Sequence, residues 1–286
     1  MTRVRGAAWL GAPYLAGVVL LVVLPTLAAC VLAFTDYSGV SAPAWVGTAN
    51  FRRMVEQAPF WQAVGNTVVY LALAVPLRLA MALGLALLLA RSTRGVAAAR
   101  TAAYLPTVIP DVAYALLWLW LLNPLYGPIA AAAASLGVDA PRWLTDPWAA
   151  RVAIALMGAF QVGETFVVLM AWRRALPSVL YDSAAVDGAG PWFTFRRVTL
   201  PLMAPVLLLL ALRDAVAAVQ LNFVPTLLVT EGGPQRATTT LSLYLYETAY
   251  RYFRLGYAAA VSMTILVVAA ATVAVQYRVA RRWRLL

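Results

Sequence analysis

Six apolar runs, each near the length a helix needs to cross a lipid bilayer, constrain this chain more than any other feature. A hydrocarbon core about 30 Å thick takes about 20 residues of α-helix. The runs extend roughly over Ala8–Phe34, Thr67–Ala90, Ala102–Leu122, Val152–Trp172, Val198–Leu221 and Tyr257–Tyr277, joined by shorter polar or turn-rich segments. This pattern predicts an all-α membrane protein: six transmembrane helices in a single domain covering 1–286. Composition agrees, since 63% of residues are hydrophobic and only 12% are charged, outside the ordinary soluble range.

All 22 basic residues are arginine, against 11 acidic residues. With the N-terminus in the cytoplasm, thirteen of them fall inside: Arg3, Arg5, Arg91, Arg94, Arg100, Arg173, Arg174, Arg196, Arg197, Arg278, Arg281, Arg282 and Arg284. Arg52, Arg53, Arg142, Arg151, Arg236, Arg251 and Arg254 fall outside or at that edge, and Arg78 and Arg213 lie within spans. The positive-inside bias therefore predicts both termini in the cytoplasm. It also accounts for the net charge of +11 without nucleic acid as a partner.

Histidine and lysine are absent, which excludes a Ser/His/Asp triad, His-based zinc sites and the lysine-dependent phosphate loop. The single cysteine, Cys30, excludes an intrachain disulfide or a multi-cysteine cluster and leaves the redox compartment open. "LAAC", Leu27–Cys30, has the pattern of a lipoprotein cleavage site. The apolar run around it is too long for a signal h-region and continues through "VLAF" beyond the cysteine, so an uncut first span is expected.

One segment is out of keeping with the rest. "YDSAAVDGAGPWFTFRRVTLP", Tyr181–Pro201, is polar, glycine-broken and amphipathic, and lies in the longest cytoplasmic excursion, 173–201, between the fourth and fifth spans. Asp182 reads as the cap of a short helix, Gly188 and Gly190 interrupt it, and Pro191 suits the first position of a second. Leu180 and Ala184 share one face of the first piece, and Trp192, Phe195 and Val198 or Thr199 one face of the second. From pattern alone this elbow is either an interfacial helix lying on lipid or a docking element.

These residues resemble the "EAA" loop of ABC importer permeases, E-A-A-x-x-D-G-A closing near Leu-Pro. Asp182 stands at the glutamate, Ser183 and Ala184 at the alanines, Asp187, Gly188 and Ala189 at D-G-A, and Leu200 and Pro201 close the pattern. Asp182 is one methylene shorter than the family's glutamate. The likeness extends through "VGTANFRRMVEQAPFWQAVGNTVVY" (Val46–Tyr70), "TEGGPQRATTTLSLYLYETAY" (Thr230–Tyr250) and "LGYAAAVSM" (Leu255–Met263) to carbohydrate importers of the maltose and glycerol-phosphate type. "T-x-G-G-P", Thr230–Pro234, resembles the first of two unlike permease subunits. The resemblance implies a single permease domain with a cytoplasmic coupling-helix loop. It also implies a second homologous permease subunit, a cytoplasmic ABC ATPase dimer that binds ATP and Mg, and an extracytoplasmic solute-binding protein. This chain itself is then non-catalytic and binds no cofactor.

Ionisable groups inside a bilayer cost roughly 2.5 to 3.5 kcal/mol each on insertion scales, so Arg78, Asp111, Glu164, Arg213 and Asp214 are expected to face protein or water. Arg213 and Asp214, on different helix faces, read as ion-pair fasteners of the bundle. Asp111 follows Pro106 and Pro110 in "LPTVIPD", which breaks the third span and frees backbone to face a cavity. Resemblance to maltose-type permeases places a sugar-facing position at Asp111, with Thr107 a turn earlier; a helix-capping or gating aspartate is the other reading. Trp118 and Trp120 supply apolar surface. Gln161 and Glu164, three residues apart, share a face of the fourth span, and the family's sugar-facing positions there fall near Met157, Phe160 and Gln161. "VQLNFV" resembles the asparagine-rich end of the family's fifth span, where Asn222 matches directly and Gln220 does not.

Two functional classes follow: the translocating subunit of an ATP-driven sugar importer working by alternating access, or a self-contained proton-coupled secondary transporter using Asp111, Glu164 and Asp214. The elbow at Tyr181–Pro201 favours the first, because a lone carrier needs no ATPase-docking loop. A disaccharide, an oligosaccharide, a polyol and glycerol phosphate all remain open as solutes.

Overall fold

The computed structural model describes residues 11–90 and 94–282, without the side chains of Arg94, Gln220, Leu221 and residues 272, 276, 279, 280 and 282. In chain order the elements are α1 (Gly11–Leu32), β1 (Thr35–Asp36), β2 (Ala44–Trp45), α2 (Ala49–Glu56), α3 (Ala58–Leu88), α4 (Arg94–Val108), α5 (Asp111–Leu121), α6 (Pro128–Ser135), α7 (Pro147–Phe160), α8 (Gly163–Ala175), α9 (Val179–Val186), α10 (Leu200–Leu221), α11 (Leu241–Tyr246) and α12 (Leu255–Arg282). Four helical stretches are long and apolar enough to cross a membrane: Gly11–Leu32, Ala58–Leu88, Pro191–Val219 and Leu255–Val275. The count rises to six when each of two bent pairs, α4 with α5 and α7 with α8, is taken as one broken span.

The described residues form two compact units. One is built from the residues up to Trp61 together with Tyr244–Thr272, the other from Gln62–Leu243 and the residues from Val273 on. In the first, the apolar window of α1 is wholly unburied, as expected of a helix solvated by lipid tails. Beyond its end, β1 and β2 pair antiparallel with Thr35 opposite Trp45. Buried Asn50 on α2 donates from Nδ2 to the carbonyls of Ala33 at 2.9 Å and Thr35 at 2.8 Å, satisfying groups that the end of α1 leaves free. The Tyr244 and Tyr257 hydroxyls lie 2.8 Å apart and both donate to Gln57 Oε1.

In the second unit, Ala82 and Ala86 of α3, Phe166 and Leu169 of α8, and Met203, Val206 and Leu210 of α10 form one core cluster. Lipid tails are as apolar as leucine, so close van der Waals contact, aided by the small alanines, holds these helices together rather than expulsion of water. A second cluster joins Tyr70 and Ala74 of α3, Tyr114 and Ala115 of α5, and Ala153, Ile154 and Met157 of α7. Tyr114 anchors it by donating to the Met157 carbonyl at 2.8 Å.

The two helix breaks have separate local causes. Pro110 has no N–H and disfavours helical backbone at Ile109, so α4 ends at Val108 and α5 restarts at Asp111 after a turn of 102°. At Gln161 the backbone (φ −78°, ψ 55°) makes an inverse γ-turn, with Val162 N–H bonded to the Phe160 carbonyl at 2.9 Å, and α8 leaves α7 at 49°.

Around "TEGGPQR" the chain takes left-handed backbone at Glu231, Gln235 and Arg236. Asn66 Nδ2 secures this loop by donating to the carbonyls of Arg236 at 2.7 Å and Thr239 at 3.0 Å. Arg151 adds bonds to the Ala237 carbonyl at 3.0 Å and to Asn66 Oδ1 at 3.1 Å.

Candidate functional site

The two breaks border one polar cavity of about 290 Å³. Thr107 comes from the last turn of α4, Asp111 from the first turn of α5, Gln161 from the γ-turn, and Glu164 and Thr165 from the start of α8. Arg78 on α3, with Arg213, Asp214 and Ala217 on α10, completes the lining. The breaks are stitched to each other: the Gly163 N–H, freed by the interruption before α8, donates to Thr107 Oγ1 at 2.9 Å. A Cβ at Gly163 would collide with that hydroxyl, so only glycine permits the approach.

Apart from Asp111, the charged groups of this cavity are partnered across helices. Arg213 donates to Glu164 and lies 3.8 Å from Asp214 Oδ1, while Asp214 Oδ2 accepts from Thr165 Oγ1 at 3.1 Å. Asp214 is 2% exposed, whereas the side chains of Glu164 and Arg213 are about half exposed to the cavity, at 55% and 47%. Arg78, also buried, donates from Nε to the Gly158 carbonyl at 2.9 Å and from a second guanidinium nitrogen to the same oxygen. Its charge thus meets the carbonyl end of α7. Carboxylates that accept, a guanidinium that donates, and hydroxyl and amide groups that do both form a lining suited to a hydroxyl-rich solute.

A second groove, of about 360 Å³, lies under the elbow that follows α8. Arg173 and Arg174 end α8 where the helix dipole favours cations. Leu176 is extended ahead of Pro177, and α9 begins after Ser178. Asp182 is therefore inside the first turns of α9, with its N–H bonded to the Ser178 carbonyl at 3.0 Å, and does not cap the helix as its sequence context suggested. The α9 terminus is a Schellman motif: Gly188 N–H bonds to Ala185 O at 3.1 Å, Ala189 N–H to Ala184 O at 2.9 Å, and Gly188 takes φ +71°. Pro191 then opens a single turn, Pro191–Thr194, which runs through a π-helical turn at Phe195–Thr199 into α10. The Tyr181 ring lies 4.1 Å beneath the Arg173 guanidinium, and its hydroxyl reaches Thr199 Oγ1 at 3.3 Å, tying α9 to both neighbours. Asp182, Ser183, Asp187 and Gly188 are exposed; Ala184, 9% exposed, forms part of the groove floor.

The model of the family described as "Binding-protein-dependent transport system inner membrane component" matches residues 79–285. The chain belongs to this family. As such it is an inner-membrane, multi-pass permease of the ABC transporter class. It is 32% identical over 276 residues to the probable ABC transporter permease protein YesP of Bacillus subtilis, covering 95% of this chain and 89% of that one. It is 31% identical over 277 residues to the lactose transport system permease protein LacF of Rhizobium radiobacter, covering 94% and 92%. Its fold matches a subunit of a bacterial ABC transporter that imports the acidic polysaccharide alginate, with a TM-score of 0.83, 24% identity and coverage of 98% and 96%.

The permease brings four of the sequence-marked path residues, Thr107, Asp111, Gln161 and Glu164, to one cavity. Asn222 is not among its lining residues. It is fully buried just beyond α10, its Oδ1 accepting from Thr240 Oγ1 and Ser242 Oγ at 3.1 Å each and its Nδ2 unpartnered. The side chain of Gln220 lies outside the described residues. Of the apolar candidates, Met157 is fully buried, Phe160 packs against Trp118 with ring centroids 5.4 Å apart, and Trp120 is half exposed. Sequence reading gives Arg78 and Arg213 no part in the path, gives Asp214 a part only in the proton-coupled alternative, and passes over Thr165 and Ala217. The available signal was their polarity or small size within apolar runs, and which helix each would face was not encoded nearby.

Proposed function

We propose that this permease is the translocating subunit of an ATP-driven importer, carrying a sugar or sugar-like solute inward through the cavity between the two broken helices by alternating access. One observation carries the reading: in a chain of this family, Thr107, Asp111, Gln161 and Glu164 converge where both helices are interrupted. Backbone freed at such breaks is tolerated in a bilayer only against protein or a polar cavity. The lactose-transport relative supports carbohydrate as the solute class. The arginine bias supports six spans with both termini and the 173–201 segment in the cytoplasm. There the exposed Asp182, Ser183, Asp187 and Gly188, over the groove floored by Ala184 and flanked by Ala189, meet a separate ATPase dimer that binds ATP and Mg. A second permease subunit and an extracytoplasmic solute-binding protein complete the machine, and lipid surrounds it.

Purification from native membranes in mild detergent tests the assembly, comparing wild type with Gly188→Asp. A Cβ at Gly188 meets no atom within 4 Å, and aspartate tolerates left-handed backbone better than most residues, so the variant adds a local backbone strain at the docking surface without a steric clash, and its yield in the membrane reports on folding. Wild type is expected to retain an ATPase and a second permease, and the variant to lose the ATPase with normal yield in the membrane. A chain that purifies alone and moves solute down a proton gradient establishes the secondary-transporter reading instead.

A further inference from the structure

The cavity lining contains three carboxylates, Asp111, Glu164 and Asp214, and two guanidiniums, Arg78 and Arg213. Backbone dipoles do not change this balance. Each break presents one carbonyl end, of α4 or α7, and one amide end, of α5 or α8, and their partial charges oppose each other. Arg213 is engaged by Glu164 and Asp214 together, and Arg78 by the Gly158 carbonyl. Asp111 is exposed, in the first turn of α5, and supplies the uncompensated negative charge. Resting on the reading of this cavity as a solute path, we infer that it is a charge filter that admits uncharged polyhydroxyl solutes and rejects anionic ones, with Asp111 as the group that sets its sign.

A net charge held several ångströms away in a partly hydrated cavity changes the local concentration of a univalent ion by about tenfold. Thiol labelling reads this without knowledge of the natural solute. In full-length chain carrying Cys30→Ser, a reporter is placed at Ala217→Cys, with Thr107→Cys as a second position and Val40→Cys as a reference that is 94% exposed in the β1–β2 turn. Each chain, in its native membrane, is treated with trimethylammonioethyl or sulfonatoethyl methanethiosulfonate. The thiolate attacks the sulfenyl sulfur, a disulfide forms and methanesulfinate leaves. The cation-to-anion rate ratio cancels the intrinsic reactivity of each thiol.

The ratio at the cavity positions is expected to exceed that at Val40 by about a hundredfold, the cation being enriched and the anion depleted by about tenfold each, and Asp111→Asn to return it to the reference. Asp111 has no hydrogen bond to lose among the described residues, so that variant changes charge with little else. A ratio equal to or below the reference overturns the filter, as does labelling by neither reagent at both cavity positions, since solutes of that size then do not enter. Capture of the ATPase is read separately. A retained ATPase without charge preference removes the filter alone, and charge preference without an ATPase keeps the filter and removes the importer.

Discussion

Gly163 sits where three demands meet: it starts α8, it donates its N–H to Thr107, and it has no room for a methyl group. A Cβ there would strike Thr107 and come within 2.9 Å of the Tyr104 ring. Gly163→Ala is therefore expected to destabilise the permease by about 1–3 kcal/mol, the range for overpacking a close contact. Thermal unfolding in detergent measures it, and adding Thr107→Ala is expected to recover part of the loss. At this scale the sequence is legible where chemistry is local. Thr107 and Asp111 are recognisable as polar groups beside a proline break, whereas Gln161, expected to share a helix face with Glu164, sits in the γ-turn before α8 and reaches the cavity from there. Likeness assigns Asn222 to the path; in the structure it is buried beside Thr226 one turn on and beside Thr240 and Ser242, which a chain reversal brings back to it. The bond from Arg213 to Glu164 was not legible, because the face a residue occupies on its own helix does not say which other helix that face meets.

A proline and a capping side chain fix the start of α7, five residues before the expected span: Asp146 precedes Pro147 and its Oδ1 accepts from Trp148 N–H at 3.0 Å and Ala149 N–H at 2.7 Å. The start of α9 was misread because Asp182 has the chemistry of a cap, while Pro177 and Ser178 had already turned the chain into helix before it. Between elements, the Glu164–Arg213 pair joins α8 to α10, the two helices that the elbow also connects. Its half-exposed side chains limit its worth, so a double-mutant cycle of Glu164→Ala and Arg213→Ala should give a coupling of about 1 kcal/mol or less. A coupling of several kcal/mol, read from the same thermal unfolding, would mark the pair as a desolvated lock.

The molecule as a whole was legible in outline, since apolar length alone marks where helices cross, and the observed spans lie close to those expected. Two features were less legible. The break before Asp111 is marked by Pro106 and Pro110, but the one at Gln161 and Val162 has no proline and looks continuous in hydropathy. The compact unit joining the residues up to Trp61 with Tyr244–Thr272 depends on contacts between segments nearly the whole chain apart, about which periodicity is silent. The proposed orientation is open to a direct check in intact cells carrying Cys30→Ser. A membrane-impermeant maleimide is expected to label Val40→Cys from outside and Ser183→Cys only after the membrane is opened; the reverse order would invert the molecule and detach the elbow from any cytoplasmic engine.

Helix α8 has 13 residues, with Glu164 near one end and Arg173 near the other. At 1.5 Å per residue it is a lever about 20 Å long, and a tilt of about 10° at the elbow sweeps its far end through about 3.5 Å. That throw is comparable to the reach of an ion pair, so a small rotation imposed at the elbow is enough to part Glu164 from Arg213 at the half-exposed far end.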